Sequence, residues 1–480
     1  MTVSLPDGLV AVVKRDCPTC RLVTPVLAQL RRTAGAPPLT IYTQDDATFP
    51  PDLDPVDDTG LAVSLALDLD TVPTLVRVEH GREAARLVGW SREQWEAFTG
   101  IPVLGGGLPP HRPGCGSRTQ DPDVVAARTE AAGAGTLTAR RVPLGASEDD
   151  AEAMFERGWS DGLPVVPPTP ERVARMLTGT TRAPGEIVTV VPPDLVECSV
   201  EKVAINAVLA GCRPDYLPVV LAAVEAACTD EFNIHGLLAT TWFSGPVVIV
   251  NGPVTRAIGM NAGINAMGQG NRANATIGRA LQLVVRNVGG GRPGEIDRST
   301  LGQPGKYTFC FAEREGDSPW EPLHVTRGCA PESSAVTLFA GEGPRGIVDQ
   351  LSRDAESLAN TFAACLRATT HPKLALAFDA LLVVSPEHAR VFREAGWGKA
   401  QLLDELMSRL QVPGAELVRG AGGIAEGLPA AVEGRTIPKF RDGGLLIVHA
   451  GGGAGLFSAI IGGWASGPAG SAPVTKEIGT

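Results

Sequence analysis

The sequence predicts an α/β protein with two folded parts, a small N-terminal domain and a larger α/β domain. The chain has 480 residues, which is too long for one ordinary domain. Short apolar segments of strand length alternate with segments of helical periodicity over most of the chain, as in α/β domains. A Gly- and Pro-rich stretch at 104–121 interrupts this alternation. We therefore predict a domain at 1–103, a linker and helix at 104–145, and the larger domain at 146–480.

The composition is that of a soluble globular enzyme, with 44% hydrophobic and 20% charged residues. A net charge of −11 and the absence of a basic run argue against nucleic acid as a partner. The N-terminus lacks the layout of a signal peptide. The uncharged stretch 443–474 is too rich in glycine to expose its backbone to lipid. We expect a cytoplasmic protein without a membrane partner.

The most informative stretch joins an apolar run at 9–13 to the pair Cys17 and Cys20. The run favours a buried strand, and the apolar face that follows predicts a helix beginning at the pair. That face consists of Leu22, Val23, Val26, Leu27 and Leu30. At a helix N-terminus the dipole lowers the pKa of a thiol, so Cys17 is the expected nucleophile and Cys20 the resolving thiol. A zinc site would need two more ligands, and the first hundred residues offer only His80.

The remaining elements of this domain follow in a simple order. Strands are predicted at 39–43, 71–78 and 84–88, and helices at 61–67 and 91–98. This βαβ unit, followed by a hairpin and a helix, resembles the thioredoxin-like family over residues 7–100. The resemblance implies that Cys17 attacks, that Cys20 resolves, and that Pro73 is a cis-proline facing the pair. It also implies that the backbone of Val72 pairs with a bound disulfide substrate.

The stretch 104–121 contains one cysteine, Cys115, between two glycines. A simple tether seldom needs a cysteine, and Arg112 and Arg118 would lower the pKa of this thiol. Cys115 is therefore either part of an unremarkable linker or a functional thiol, which would relay from Cys17 or belong to the site of the larger domain. Helices are predicted next at 122–132 and at 149–157, the second capped by Ser147.

The larger domain is predicted from a further series of strands and helices. The predicted strands lie at 187–191, 246–250, 307–312, 381–384 and 445–449. The predicted helices lie at 170–177, 200–210, 216–227, 273–287, 386–395, 399–410 and 456–461. The turn 159–162, Trp-Ser-Asp-Gly, either lines a pocket or only positions the chain. A weak repeat relates 246–251 to 380–385, which would make this domain two-lobed with a site between the lobes.

A glycine-containing loop precedes the helix at 273–287. Its residues Gly268, Gly270, Asn271 and Arg272 are candidates for binding the carboxylate or phosphate of a substrate. The alternative is a loop that only caps the helix. The spacing is not that of a dinucleotide fingerprint, and the sequence offers no motif for a cofactor.

Three further cysteines are candidates for a catalytic thiol in the larger domain. Cys212 precedes a helix and is followed by Arg213, and both features favour a thiolate. Cys329 lies near Arg327, and Cys310 is followed by the acidic side chain of Glu313. Cys228 and Cys365 lie in apolar helices and are expected in the core. The histidines are scattered, so no metal site is predicted.

A second, weaker resemblance concerns residues 199–219. This segment looks like bacterial proteins that mostly lack an assigned activity, some of which occur with (seleno)proteins carrying a Sec/Cys-Gly-Ser-Cys motif. Cys115-Gly116-Ser117 is similar to that motif, although Arg118 replaces its last cysteine. The resemblance implies thiol redox chemistry.

Together these observations predict a thiol-dependent oxidoreductase. In such an enzyme a catalytic cysteine of the larger domain would act on a small polar molecule and become oxidised. The pair Cys17 and Cys20 would then reduce that cysteine, with an external thiol as reductant. Two alternatives stay open: a thiol-dependent lyase or sulfur-transfer enzyme, and a redox-gated binding protein. The sequence also leaves a homo-oligomer open.

Overall fold

The computed structural model describes residues 5–124, 137–145, 148–467 and 469–479. The chain divides into two compact units, residues 1–132 and 133–480, and each combines helices with sheets. The predicted α/β class is therefore confirmed. Most of the predicted helix at 122–132, and the predicted cap Ser147, lie outside the described residues.

The first unit is built on a five-stranded sheet in the order β3-β2-β1-β5-β6. β1 pairs in parallel with β2 and antiparallel with β5, so the strand before the cysteine pair is central. Its apolar residues are buried because both faces of this strand are covered. The elements of this unit are β1 Gly8–Val13, α1 Pro18–Arg32, β2 Leu39–Thr43, β3 Val56–Asp57, α2 Ala62–Ala66, β4 Thr71–Val72, β5 Thr74–Glu79, β6 Arg82–Val88, β7 Trp90–Ser91, α3 Arg92–Thr99, β8 His111–Arg112 and β9 Cys115–Gly116.

The segment 104–121 is not a tether, contrary to our prediction of a linker. It forms two short strands, of which β8 pairs with β7 and β9 pairs with β4. Leu104 is fully buried, and Ser117 and Thr119 are buried as well. The glycine and proline content of this segment predicted an irregular chain. Side-chain and backbone hydrogen bonds to the rest of the first unit nevertheless hold it in place.

The second unit is built on a seven-stranded sheet. Six strands follow the order β13-β12-β14-β19-β15-β18, and β20 pairs with β14. The strands of this unit are β10 Ile187–Val191, β11 Val196–Ser199, β12 Gly245–Asn251, β13 Cys310–Ala312, β14 Ala335–Val348, β15 Phe378–Val384, β16 Gln411–Pro413, β17 Thr436–Pro438, β18 Leu445–His449, β19 Phe457–Ala465 and β20 Val474–Glu477. The α-helices are α4 Asp150–Glu156, α5 Pro170–Leu177, α6 Val200–Ala210, α7 Leu217–Ala227, α8 Ile234–Ala239, α9 Val254–Ala257, α10 Arg272–Asn287, α11 Leu323–Thr326, α12 Ala355–Arg367, α13 Pro386–Glu394, α14 Lys399–Arg409 and α15 Gly414–Leu417.

The large sheet consists of two halves with the same arrangement. In the first, β12 pairs in parallel with β13 and antiparallel with β14. In the second, β15 pairs in parallel with β18 and antiparallel with β19. The halves join where β14 pairs antiparallel with β19. The predicted correspondence of 246–251 with 380–385 is confirmed, because these segments are β12 and β15.

Alternate residues of these strands enter different cores, as the two-residue period of a strand requires. In β12, Val248 and Val250 pack with α6, α7 and α10, whereas Val247 and Ile249 enter a core between the two halves. In β15, Leu382 packs with α12, α13 and α14, and Leu381 enters that same inner core. Helices therefore cover the outer face of each half.

The sheet curls until its two edges meet. The inner core includes residues of both edge strands, β13 and β18. Just beyond these strands, the backbone N–H of Arg314 donates a hydrogen bond of 2.7 Å to the carbonyl of His449. The carboxyl ends of β13 and β18 are thereby brought together.

Two differences from the predicted elements have a physical cause. The segment predicted as a helix at 456–461 is the strand β19, which lies between β14 and β15. Ile460 and Ile461 are β-branched, and a Cβ at Gly463 would approach the carbonyl of Asp379 to 2.6 Å, so glycine permits the close pairing. The helix at 149–157 begins one residue later than predicted, with Asp149 as its cap.

Candidate thiol site of the first unit

Cys17 lies at the point where the central strand gives way to α1. It is the N-cap of this helix, with Pro18 at the first helical position. Its Sγ accepts a hydrogen bond of 3.2 Å from the backbone N–H of Cys20, one turn further on. Both cysteines are fully buried, and all nine cysteines of the chain are free thiols.

The backbone of Val72 faces Cys17 from the other side. Its carbonyl lies 3.5 Å from Sγ of Cys17, and the Val72–Pro73 peptide bond is cis, as expected. Val72 is also the antiparallel partner of Cys115 in the pairing of β4 with β9. The chain's own segment therefore occupies the edge at which we expected a disulfide substrate to pair.

Several contacts fix this segment over the thiols. Thr19 donates a side-chain hydrogen bond of 2.7 Å to the carbonyl of Pro113. The buried amide of Gln44 donates to Ser117 at 2.7 Å. At Gly114 an added Cβ would lie 2.8 Å from the carbonyl of Val72, so only glycine allows so close an approach. Thr19 and Gln44 were not predicted as site residues. Their hydrogen-bond partners are far away in the chain, and no local sequence pattern indicates such a pairing.

The electrostatics of the site favour a thiolate on Cys17. Its pKa is lowered to about 5, chiefly because the thiol of Cys20 donates a hydrogen bond to it. The thiol of Cys115 and the backbone N–H groups at the start of α1 lower the pKa further, while burial opposes them. The predicted direction for Cys17 is confirmed.

The other two thiols of the site stay protonated. Burial raises the pKa of Cys20 strongly, and its hydrogen bond to Cys17 adds to this. Burial and the hydrogen bond to Cys17 also raise the pKa of Cys115. Our expectation that Arg112 and Arg118 would lower the pKa of Cys115 is therefore wrong. Arg118 donates instead to the carbonyl of Gln44 at 2.8 Å. Of the three thiols, only Cys17 therefore has a lowered pKa.

The cysteines predicted as catalytic in the second unit do not have the character of thiolates. Burial raises the pKa of Cys212 to about 12, and its Sγ donates to the carbonyl of Thr276 at 3.4 Å. Burial likewise raises the pKa of Cys310, and the pKa of Cys329 is raised by burial and by Glu477. The expectation of a thiolate at Cys212 and at Cys329 is wrong, because desolvation outweighs a helix dipole and a neighbouring arginine. Cys310 is buried in the core, and the carboxylate of Glu313, which was expected to assist it, accepts a hydrogen bond from Asn251.

The loop before α10 caps that helix. Oδ1 of Asn271 caps the helix at the N–H of Asn274, and Arg272 donates to the carbonyl of Gly211 at 2.9 Å. Gly270 adopts φ +113°, which favours glycine in this turn. Of the four predicted residues, Gly268 lines an open pocket of about 340 Å³. The residues around it are Asn265, Ala266, Met267, Gly268, Ala450 and Gly451.

Sequence analysis missed a row of polar residues at the strand ends of the second unit. Asn251 ends β12, Glu313 follows β13, Ser385 follows β15 and His449 ends β18. Each comes directly after or at the end of a buried apolar run, and that position was the signal available in the sequence. The repeat that relates 246–251 to 380–385 already aligned Asn251 with Ser385.

Within the described residues, no three His, Cys, Asp or Glu side chains are grouped so that they could hold a metal ion. In the same part of the chain, no helix is both long and apolar enough to cross a membrane. Comparison with protein-family models, with curated proteins and with solved structures gives no match for this chain.

Proposed function

We propose that the first unit is a thioredoxin-like thiol–disulfide oxidoreductase in which Cys17 exchanges with Cys115. The observation that carries this proposal is the pairing of Val72 with Cys115 beside the Cys17 thiolate. A low thiol pKa at a helix N-terminus, with a second thiol one turn away, is the arrangement that disulfide exchange requires. In this scheme Cys115 is the thiol that exchanges with Cys17. The candidate cysteines of the second unit take no part.

The exposure of the three thiols suggests the order of steps. Cys17 and Cys20 are fully buried, whereas Cys115 is half-buried and is the thiol that an external molecule reaches first. A small disulfide would exchange with Cys115: the Cys115 thiol gives up its proton, its sulfur forms a mixed disulfide with one half of the reagent, and the other half takes the proton and leaves as a thiol. The Cys17 thiolate would then attack Sγ of Cys115 and release the second thiol. The product of this step is a Cys17–Cys115 disulfide.

Cys20 completes the cycle. While Cys17 is a thiolate, its charge and its hydrogen bond help to keep Cys20 protonated. Once Cys17 is bound in a disulfide that charge is gone, so Cys20 can lose its proton and attack Sγ of Cys17. Cys115 leaves as a thiol and a Cys17–Cys20 disulfide remains. Two electrons have passed to the substrate, and an external dithiol must restore the reduced protein.

The experiment is to trap the intermediate in the Cys20→Ser variant of the full chain. The reduced variant would be exposed to a small disulfide, alkylated, digested and examined by mass spectrometry. We expect a Cys17–Cys115 disulfide to accumulate, because the resolving thiol is missing. The wild-type chain should instead yield Cys17–Cys20. Cys329→Ser serves as the matched control, since it removes a half-buried thiol from the second unit. A mixed disulfide of Cys17 with the reagent, and no bond to Cys115, would refute the exchange with Cys115.

A further inference from the structure

An open pocket of about 390 Å³ lies at the amino ends of β12 and β15 in the second unit. Trp242 and Phe243 come just before β12, Phe378 begins β15, and Trp464 lies near the end of β19. Both halves of the large sheet therefore contribute to the pocket, and the repeat predicted a site between two lobes. The volume falls in the usual range for sites of small molecules, roughly 300–1,000 Å³.

Aromatic side chains make up most of the surface of this pocket. Trp242, Phe243, Phe378 and Trp464 are four of its nine lining residues, although only 5% of the chain is aromatic. All four are partly exposed, and Leu301 beside them is 79% exposed. Apolar surface left in water at one concave place is favourable to cover, so a ligand that lies on these rings gains free energy.

Trp242 is the central ring of the group. Its centroid lies 4.5 Å from that of Phe243, with an angle of 27° between the ring planes, so these two rings are stacked. It lies 6.3 Å from the ring of Phe378, which is tilted by 49°. Trp464 lies against α8, where a Cβ added at Gly236 would approach its ring to 2.8 Å. Rings at such distances and angles offer both faces and edges to a further aromatic ring.

Hydrogen bonds hold the walls of the pocket in place. The N–H and the Oγ1 of Thr300 both donate to the carbonyl of Thr241, at 2.9 and 3.0 Å. The N–H of Trp242 donates to Oγ1 of Thr240 at 3.2 Å. On the other side, Phe378 is held in the pairing of β15 with β19. The walls are thus ordered without a ligand, which lowers the entropy that binding costs.

The polar groups of the lining define what else the ligand must offer. None of the nine described residues that line the pocket carries a charge, so a charged ligand would find no counter-charge among them. Oγ1 of Thr300 uses its proton on the carbonyl of Thr241 and can therefore only accept another hydrogen bond. Oγ1 of Thr240 accepts from Trp242, and its own proton has no acceptor among the described residues. These few hydroxyls suit a ring with one hydrogen-bonding group, whereas a sugar would need many polar partners.

We propose that this pocket binds an uncharged aromatic compound that carries one hydrogen-bonding group. Its ring would lie against Trp242, Phe378 and Trp464, and its polar group would reach the threonine hydroxyls. The site contains no cysteine and does not depend on the thiol chemistry of the first unit. It gives the second unit a binding role that its buried cysteines do not.

The test is isothermal titration of the reduced full chain with indole, quinoline and 4-methylphenol. We expect at least one of them to bind saturably at a single site, and cyclohexanol, which has the hydroxyl but no aromatic ring, to bind at least tenfold more weakly. Trp242→Leu should weaken binding of the aromatic compound at least tenfold. Phe155→Leu is the matched control, since Phe155 is 58% exposed on α4 and does not line the pocket. Cys17→Ser should bind as the wild type does.

Leu301→Lys separates binding from folding. Because Leu301 is exposed, the unfolding temperature should not change, but a charged side chain at the edge of the pocket should weaken binding at least threefold. This variant decides the test if Trp242→Leu does not fold. The proposal is overturned if none of the three aromatic compounds binds saturably, or if cyclohexanol or tetramethylammonium binds as tightly as they do. It is also overturned if Leu301→Lys and a folded Trp242→Leu both bind as the wild type does.

Discussion

Val72 and Cys115 are paired residues of two short antiparallel strands, and the carbonyl of Val72 lies 3.5 Å from Sγ of Cys17. A cysteine of the chain itself therefore lies where a strand bearing a disulfide would pair. This relationship places three thiols in one buried site, only one of which has a low pKa.

The thiolate on Cys17 should be visible in a titration of the reduced protein. Because its pKa is lowered to about 5, we expect an ultraviolet thiolate signal with a midpoint near pH 5 that is missing in Cys17→Ser. A midpoint near the ordinary value of 9.0 would contradict the hydrogen-bonded arrangement of the three thiols.

The same shift links stability to pH. Between pH 5 and pH 9 the folded protein has released the Cys17 proton while the unfolded chain still holds it. The free energy of unfolding, relative to Cys17→Ser, should therefore rise with pH across this window and be lost as the pH falls through 5. Denaturant unfolding of both reduced proteins at several pH values measures this difference. A difference that does not change over the window would show that Cys17 has no lowered pKa.

The segment over the thiols should be displaced by a side chain at residue 114. In Gly114→Val the new Cβ would lie 2.8 Å from the carbonyl of Val72 and 2.3 Å from Cγ2 of Thr71, so β9 must move away from β4. We expect Cys17 to be alkylated by a small haloacetamide roughly tenfold faster than in the wild type. This corresponds to a free energy of local opening that is lower by about 1.4 kcal/mol.

Gly116→Ala is the control for this experiment. An added Cβ at residue 116 meets no atom within 4 Å, so the segment should stay in place and the alkylation rate should not change. Equal rates in Gly114→Val and the wild type would mean that the segment does not limit access to Cys17.

The first unit shows which parts of a site a sequence can reveal. The strand, the cysteine pair and the helix are adjacent in the chain, so periodicity and spacing were enough to place Cys17 at a helix N-terminus. The pairing of Cys115 with Val72 joins distant residues through backbone hydrogen bonds. Glycine and proline around Cys115 carry no pattern that predicts such a pairing, so the segment was interpreted as a linker.

In the second unit, burial determines the pKa values of the cysteines, and burial could not be predicted from their neighbours in the sequence. Cys212 has the helix terminus and the arginine neighbours that favour a thiolate, but its position in the core raises its pKa instead. Most of the helices were predicted from their apolar runs, but the predicted strands match only five of the eleven that the structure describes in this unit, and the long strand β14 is not among them. The contact of the strand ends at Asn251, Glu313 and His449 follows from sheet topology, which the chain order alone does not fix.

The buried cysteines of the second unit should take no part in thiol exchange. Cys212→Ala and Cys310→Ala remove buried sulfur atoms from one core, and we expect each to lower the free energy of unfolding by roughly 1–2 kcal/mol. The release of two thiols from each small disulfide should stay at the wild-type rate, whereas Cys17→Ser should stop at the mixed disulfide on Cys115 and release only one. Loss of exchange in either alanine variant, with the fold intact by circular dichroism, would restore a catalytic role to that cysteine.

The turn at 159–162 positions the chain through a buried ion pair. Nε and Nη2 of Arg279 donate to the two carboxylate oxygens of Asp161 at 2.8 and 2.7 Å, and both side chains are less than 15% exposed. Arg279→Met would leave the Asp161 carboxylate without its cation, and we expect the free energy of unfolding to fall by about 3 kcal/mol. Arg279→Lys keeps the charge but loses the two-pronged geometry, so its cost should be smaller.

The matched control is the surface pair of Arg390 and Glu394, whose charged atoms lie 3.9 Å apart with more than half of each side chain exposed. Arg390→Met should change the free energy of unfolding by less than about 0.5 kcal/mol, because solvent screens such a pair. Denaturant unfolding of the three variants measures the contrast. If Arg279→Met lowered the free energy of unfolding no more than Arg390→Met does, the turn would not depend on its ion pair. The alternative interpretation of 159–162 as a pocket lining would then be favoured.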